Sequence, residues 1–238
     1  MTVAATVAVL VGAAVQRVSG LGFALISAPF LVIVLGPYNG ISLANTLAIG
    51  VAAATLATSW RQVDTRRAVT LIPAGLVGVL PGVLAARTIP DGPLQVLIGG
   101  LIVLGLAFTV GTPDRKVTPT TTVNLGTGLA SGFMTAAAGI GGPALVLYAS
   151  ITAWEQAAFA ATAQISFAGQ AALALGLKGV PSLQPYQWGV FVLAVAAGLL
   201  GGNVLARRLA PATATRLAIA LALLGAAGTV VEGLLDWL

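Results

Sequence analysis

The chain contains no cysteine and no histidine. Thiolate and imidazole chemistry are therefore absent together, which excludes disulfides, zinc sites of the usual ligand types, and Ser-His or Cys-His catalysis. Charge is almost as scarce. Six carboxylates, Asp64, Asp91, Asp114, Glu155, Glu232 and Asp236, stand against eleven Lys and Arg in 238 residues. All six fall at or near the ends of apolar segments, so a buried carboxylate proton relay is poorly supported. Only 7% of residues are charged and 58% are hydrophobic, where a soluble domain carries about 25% charged residues. A soluble domain is excluded, and an enzyme is an unattractive reading. Aromatics, at 6%, are too few for a recognition platform. Trp60, Trp154, Trp188 and Trp237 lie near segment ends, where interfacial belts belong.

What is present is a succession of apolar stretches of about 20 residues, each long enough to cross roughly 30 Å of hydrocarbon. The pattern predicts an all-α, polytopic membrane helical bundle. A transmembrane barrel would alternate polar and apolar residues, and LAIALALL at residues 217–224 does not alternate. The N-terminal MTVAATVAVLVGAAVQ lacks the basic n-region of a signal peptide and is read as part of the mature protein. The pI near 10.5 raises nucleic acid as a partner. The Lys and Arg are scattered over loop positions instead of forming a stripe, so they are read as orientation signals in the membrane.

An internal repeat is legible. VLAARTIP at residues 83–90 matches VLARRLAP at residues 204–211 at five of eight positions. GLVG at 75–78 meets GLLG at 198–201, GFALI at 22–26 meets GPALV at 142–146, and Ala44-Asn45 meets Ala163-Gln164, in the same order through both halves. The polar stretch GTPDRKVTPTT at 111–121 separates them, giving a first repeat over residues 1–112 and a second over 119–238. Each repeat reads as a long, glycine-interrupted first segment followed by three ordinary spans. These are placed near 41–60, 67–87 and 93–111, then 155–177, 186–206 and 212–235.

The first segments are longer than one upright crossing needs, so each must tilt strongly or break. Residues 3–36 would make a helix of about 50 Å, and QRVSGLGF at 16–23 offers a break that leaves two arms of about 21 Å. SGFMTAAAGIGGPALV is the equivalent in the second half. Loop charge separates two topologies. With single crossings, Arg61, Arg66, Arg67, Arg115, Lys116 and Lys178 oppose Arg87, Arg207, Arg208 and Arg216, six against four. With re-entrant first segments the repeats are inverted and Lys178 changes sides with the 207–216 cluster, giving eight against two. The positive-inside rule favours the inverted arrangement, with both termini outside.

Inverted repeats with broken helices suit an anion site, because half-helix N-termini present unpaired N–H groups near the midplane. Ser19 is positioned to cap the arm that follows Gly20 and Gly22, and Pro143 suits a first helical turn. Gly139, Gly141 and Gly142 let backbone approach a ligand. The bland reading is close helix packing, which is expected of Gly78-xxx-Gly82, Gly128-xxx-Gly132 and Gly198-xxx-Gly202. Arg17 is the one full charge inside a hydrophobic segment, a functional candidate by default, with snorkelling to an interface as the alternative. Asn45 and Gln164 occupy matching places and serve either as ligand amides or as interhelical glue. Gln16 and Thr135 are weaker candidates of the same kind.

The paired segments SGLGFALISAPFLVIVLGP and SGFMTAAAGIGGPALVLY, each opening one half of a chain of this length, resemble the TauE/SafE sulfite exporter family of membrane permeases. Many members have richer glycine runs in the first half than SGLGFA. The resemblance implies export of small sulfur-containing anions such as sulfite or sulfoacetate across the bacterial inner membrane, by alternating access. Open alternatives are a carrier for another small anion, such as a carboxylate, and a non-transporting membrane subunit. The expected partners are a small anionic substrate and the lipid bilayer, with a homodimer left open and nucleic acid excluded; no cofactor or metal is expected.

Overall fold

The computed structural model describes residues 2–19, 23–110, 117–206 and 211–237. Among them the chain is helical throughout, in the order α1 (Thr2–Ser19), α2 (Phe23–Ser59), a 3-10 turn (Trp60–Gln62), α3 (Thr65–Thr88), α4 (Asp91–Val110), α5 (Thr121–Ala138), α6 (Gly142–Ile151), α7 (Gln156–Lys178), α8 (Pro185–Ala206) and α9 (Pro211–Trp237). The expected junction at 111–116 and the loop arginines Arg207 and Arg208 lie outside the described residues. Polar side chains mark several starts: Asp64 accepts from Arg67 N–H, Thr120 from Val123 N–H, and Glu155 from Ala157 and Ala158 N–H. Each satisfies amides that the first turn leaves open.

Among the described residues, five helices are long and apolar enough to cross a membrane: Phe23–Gln62, Thr65–Thr88, Gln156–Lys178, Pro185–Leu205 and Arg216–Trp237. Large apolar side chains such as Val77, Leu84, Leu193, Leu200, Leu224 and Leu235 point outward. A soluble protein would bury such a surface, whereas lipid solvates it. The molecule is a multi-pass membrane protein.

Both glycine-rich first segments double back. Ser131 and Gly141 would stand about 15 Å apart along one continuous helix, yet Ser131 Oγ donates to the Gly141 carbonyl at 3.0 Å. Gly139, in the left-handed region at φ 74°, ends α5 and starts the reversal. In the first half, Ser27 Oγ donates to the Ala8 carbonyl at 3.2 Å, where a straight helix would separate the two by about 28 Å. A second turn follows inside α2 at Gly36, with φ 79° and ψ 164°, a conformation that favours glycine. Gly40 is thereby laid on the backbone of Leu31. The long second arm of α2, residues 37–59, begins there.

Hydrogen bonds show which ends meet. At one end, Asn124 near the start of α5 donates to Thr70 of α3, Tyr148 near the end of α6 donates to Asn124, and Arg67 donates to Thr152. At the other end, Arg87 of α3 donates to the Leu177 carbonyl and Tyr38 to that of Lys178. The α5–α6 hairpin therefore leaves from and returns to the end where α3 begins, and Lys178 shares the opposite end with Arg87.

The packing is reciprocal. α3 lies along α5 and α8 along α1, while α4 pairs with α9 and α2 with α7. Glycines set the first two contacts. Gly78 meets the backbone of Leu129, Gly82 that of Phe133, and Gly128 that of Leu71; Gly198 and Gly202 meet Leu10 and Ala14 in the same manner. Backbones this close exclude any side chain at the crossing, which is the small-residue packing of membrane helices. Trp154, expected in an interfacial belt, is instead buried, edge-on to Tyr148 and under the Arg67 guanidinium.

Candidate functional site

The two reversals share one cavity. Phe23, Ala24 and Leu25 at the start of the returning arm in the first half line it, as do Gly139, Ile140, Gly141 and Gly142 in the second. Asn45 from the long arm of α2 and Gln164 from α7 complete it with Gln16, Thr135, Phe167 and small apolar neighbours. The central void is about 40 Å³. A single buried water needs roughly 10–15 Å³ on this measure, so the void suits a few waters or one small oxyanion.

Hydrogen bonds hold several of the lining side chains in place. Asn45 Nδ2 donates to the Thr135 carbonyl at 3.2 Å, tying the long arm of α2 to α5. Gln16 Oε1 accepts from Phe23 N–H at 3.0 Å, so an amide side chain caps the returning arm. Ser19 was expected in that role; its side chain, like Gly20 and Gly22, lies outside the described residues. Behind Thr135, a buried chain of bonds links α5 to α7: Thr135 Oγ1 donates to Gln170 Oε1 at 2.8 Å, and Gln170 Nε2 donates to Ser166 Oγ at 2.8 Å. Together with the Ser131 bond to the Gly141 carbonyl, this fixes the second break from two directions.

Two groups among the lining residues lack a side-chain partner. The N-terminus of α6 has Pro143 in its first turn and no side-chain cap. Gln164, 2% exposed, has its Nε2 without a hydrogen-bond partner. Leaving a buried amide donor unsatisfied costs about 1–3 kcal/mol. A helix start and an unspent amide beside one small cavity are groups that suit a ligand that accepts hydrogen bonds and carries negative charge.

Of the residues singled out in the sequence, the cavity thus gathers Asn45, Gly139, Gly141, Gly142 and Gln164, and the weaker candidates Gln16 and Thr135. Arg17 is not brought to it. Its side chain is exposed, and Nε donates to Asn203 Oδ1 of α8 at 2.5 Å, near the end of that helix. A cation snorkelling toward an interface fits this position. Conversely, Lys178, counted in the sequence as a loop charge, is buried, and its Nζ donates to the Ala136 carbonyl in the last turn of α5 at 2.8 Å. Ser131, Ser166 and Gln170 went unnoticed in the sequence. Their signal was spacing: Ser131 and Thr135, and Ser166 and Gln170, stand four apart and so share a helix face.

Broken helical segments that meet at a shared cavity are an arrangement that membrane transporters use. The sequence profile of the Sulfite exporter TauE/SafE family matches residues 4–230, and the chain belongs to that family. It is a transmembrane anion transporter; members of the family are not enzymes. No curated protein and no solved structure matches the chain.

Proposed function

We propose that the protein exports small sulfur-containing anions, sulfite or organosulfonates such as sulfoacetate, by alternating access between two inverted repeats. The observation that carries this reading is the shared cavity, in which helix starts from both halves and the amides Asn45 and Gln164 surround one oxyanion-sized void. The substrate's oxygens would take N–H groups from the start of α6 and from Gln164 and Asn45, with Gly139, Gly141 and Gly142 keeping side chains out of the way.

Inversion draws support from the packing. The α5–α6 hairpin opens toward the start of α3, while α1 runs alongside α8 in the same sense, with Leu10 beside Gly198 and Arg17 beside Asn203. That sense starts α1 from the end where Lys178 and Arg87 meet, so the hairpins would enter from opposite faces. The pairing of Lys178 with the Arg87 end also agrees with the eight-against-two division of charge, which orients the Arg61 loop toward the cytoplasm of a bacterial inner membrane. Alternating access would then rock one hairpin-bearing unit against the other around the cavity.

The test is flux. The purified full chain in proteoliposomes should give saturable sulfite transport that sulfoacetate competes. Transport of carboxylates in place of sulfite would reassign the substrate, and the absence of any saturable anion flux would leave the non-transporting reading standing.

A further inference from the structure

Among the described residues, the cavity holds no cation. None of its lining residues is ionisable, and residues 18–22, VSGLG, contribute no charge by sequence. The ionisable groups on the five helices around it are directed elsewhere. Arg17 of α1 is on Asn203, Tyr38 of α2 on the Lys178 carbonyl, Tyr148 of α6 on Asn124, and Lys178 of α7 on the Ala136 carbonyl, with Arg87 of α3 on the neighbouring Leu177 carbonyl. α5 carries no ionisable residue.

Attraction for an anion therefore comes from dipoles and from two helix starts, each equivalent to roughly half an elementary charge. Their sum is at most about one positive charge, and the carbonyl ends of α1 and α5, which terminate at the same two reversals, reduce it. At most one negative charge is met by that sum, and a second is not. Because the Born cost of desolvation rises with the square of the charge, a dianion multiplies the penalty about fourfold with no counter-ion to offset it.

We infer that the cavity selects singly charged anions, so that sulfite crosses as hydrogen sulfite and carries its own proton; this rests on the reading of the cavity as the substrate site. The step balances without a protein acid. The sulfite dianion takes up one proton from water on the loading side, one negative charge and one proton cross together, and the proton returns to water on the far side. The scarcity of buried carboxylates then follows, because the relay is the substrate.

The experiment uses wild-type proteoliposomes at equal pH on both faces, stepped from acid to alkaline through the second ionisation of sulfite. Initial rates are read for sulfite and for methanesulfonate, which stays singly charged throughout. Expected is a sulfite rate that falls about tenfold per pH unit above that ionisation, as the monoanion does, beside a methanesulfonate rate constant within twofold and negligible sulfate flux. Sulfite transport that holds or rises with pH, or sulfate transport at a comparable rate, overturns the inference while leaving the transporter reading intact. A parallel fall in both rates overturns it too, because a protein group would then be titrating. No flux of either anion at any pH overturns the transporter reading and the inference with it.

Discussion

Replacing Gln164 by Leu separates a ligand amide from interhelical glue. The side chain is 2% exposed and its Nε2 has no partner, so the empty protein already carries an unsatisfied donor at a cost of about 1–3 kcal/mol. Leu has a similar volume and no such donor. The variant should therefore unfold in detergent at an equal or higher temperature than the wild type. Anion binding should move the other way. A hydrogen bond to a charged group contributes about 1.5–3 kcal/mol, and at 1.36 kcal/mol per factor of ten its loss weakens affinity roughly 10- to 150-fold. The assay pairs thermal unfolding without ligand against the sulfite concentration that half-saturates proteoliposome flux. A glue residue would lose stability and keep its affinity. Unchanged half-saturation, or a stability loss with affinity intact, refutes the assignment.

Arg17→Gln should alter half-saturation by less than about twofold, since its guanidinium is bonded to Asn203 away from the cavity; a loss comparable to that of Gln164→Leu would return Arg17 to the site. Gly132→Ala should destabilise strongly, by about 1–3 kcal/mol or more, because the new Cβ would overlap the Gly75 carbonyl oxygen. Gly100→Ala, which meets open space, should be neutral or gain up to about 1 kcal/mol from helix propensity; equal unfolding temperatures for the two would contradict the close α3–α5 crossing. Gly139→Ala forces a Cβ into the left-handed region at φ 74°, at about 1–2 kcal/mol, and should lower maximal flux; retention of full flux would show that the turn is not required. The exposed Glu155 carboxylate is held below the usual range by the Ala157 and Ala158 N–H groups. Its contribution to α7 is therefore complete above the unfolded carboxylate pKa and is lost as pH falls through the lower folded value. Glu155→Ala should remove part of the acid dependence of thermal stability, and an identical pH profile would exclude the cap.

The long spans and both reversals were legible because apolar length and interruption are local properties. Thirty-four residues are more than one upright crossing needs, and Pro143 after glycine suits a first helical turn. Asn45 and Gln164 were reachable through the repeat, which placed one amide on the other. Arg17 was not, because a cation inside an apolar run reads the same whether it faces a cavity or bonds Asn203 at a helix end. Lys178 failed for the opposite reason: it closes a span and looks like a loop charge, and only the approach of the Ala136 carbonyl shows it buried. The Thr135, Gln170 and Ser166 chain joins α5 to α7 across 35 residues of sequence, and only its i, i+4 spacing was visible beforehand.

The cross-clasp of α3 on α5 and α8 on α1 also governs biogenesis. During synthesis the glycine face of α3 emerges well before α5 exists, and α1 must wait for α8, nearly at the end of translation. Each half is thus a lock delivered ahead of its key, and a fragment stopping at residue 112 would expose two helix faces shaped for partners it does not contain. Co-expressed halves should rescue one another where either alone is degraded.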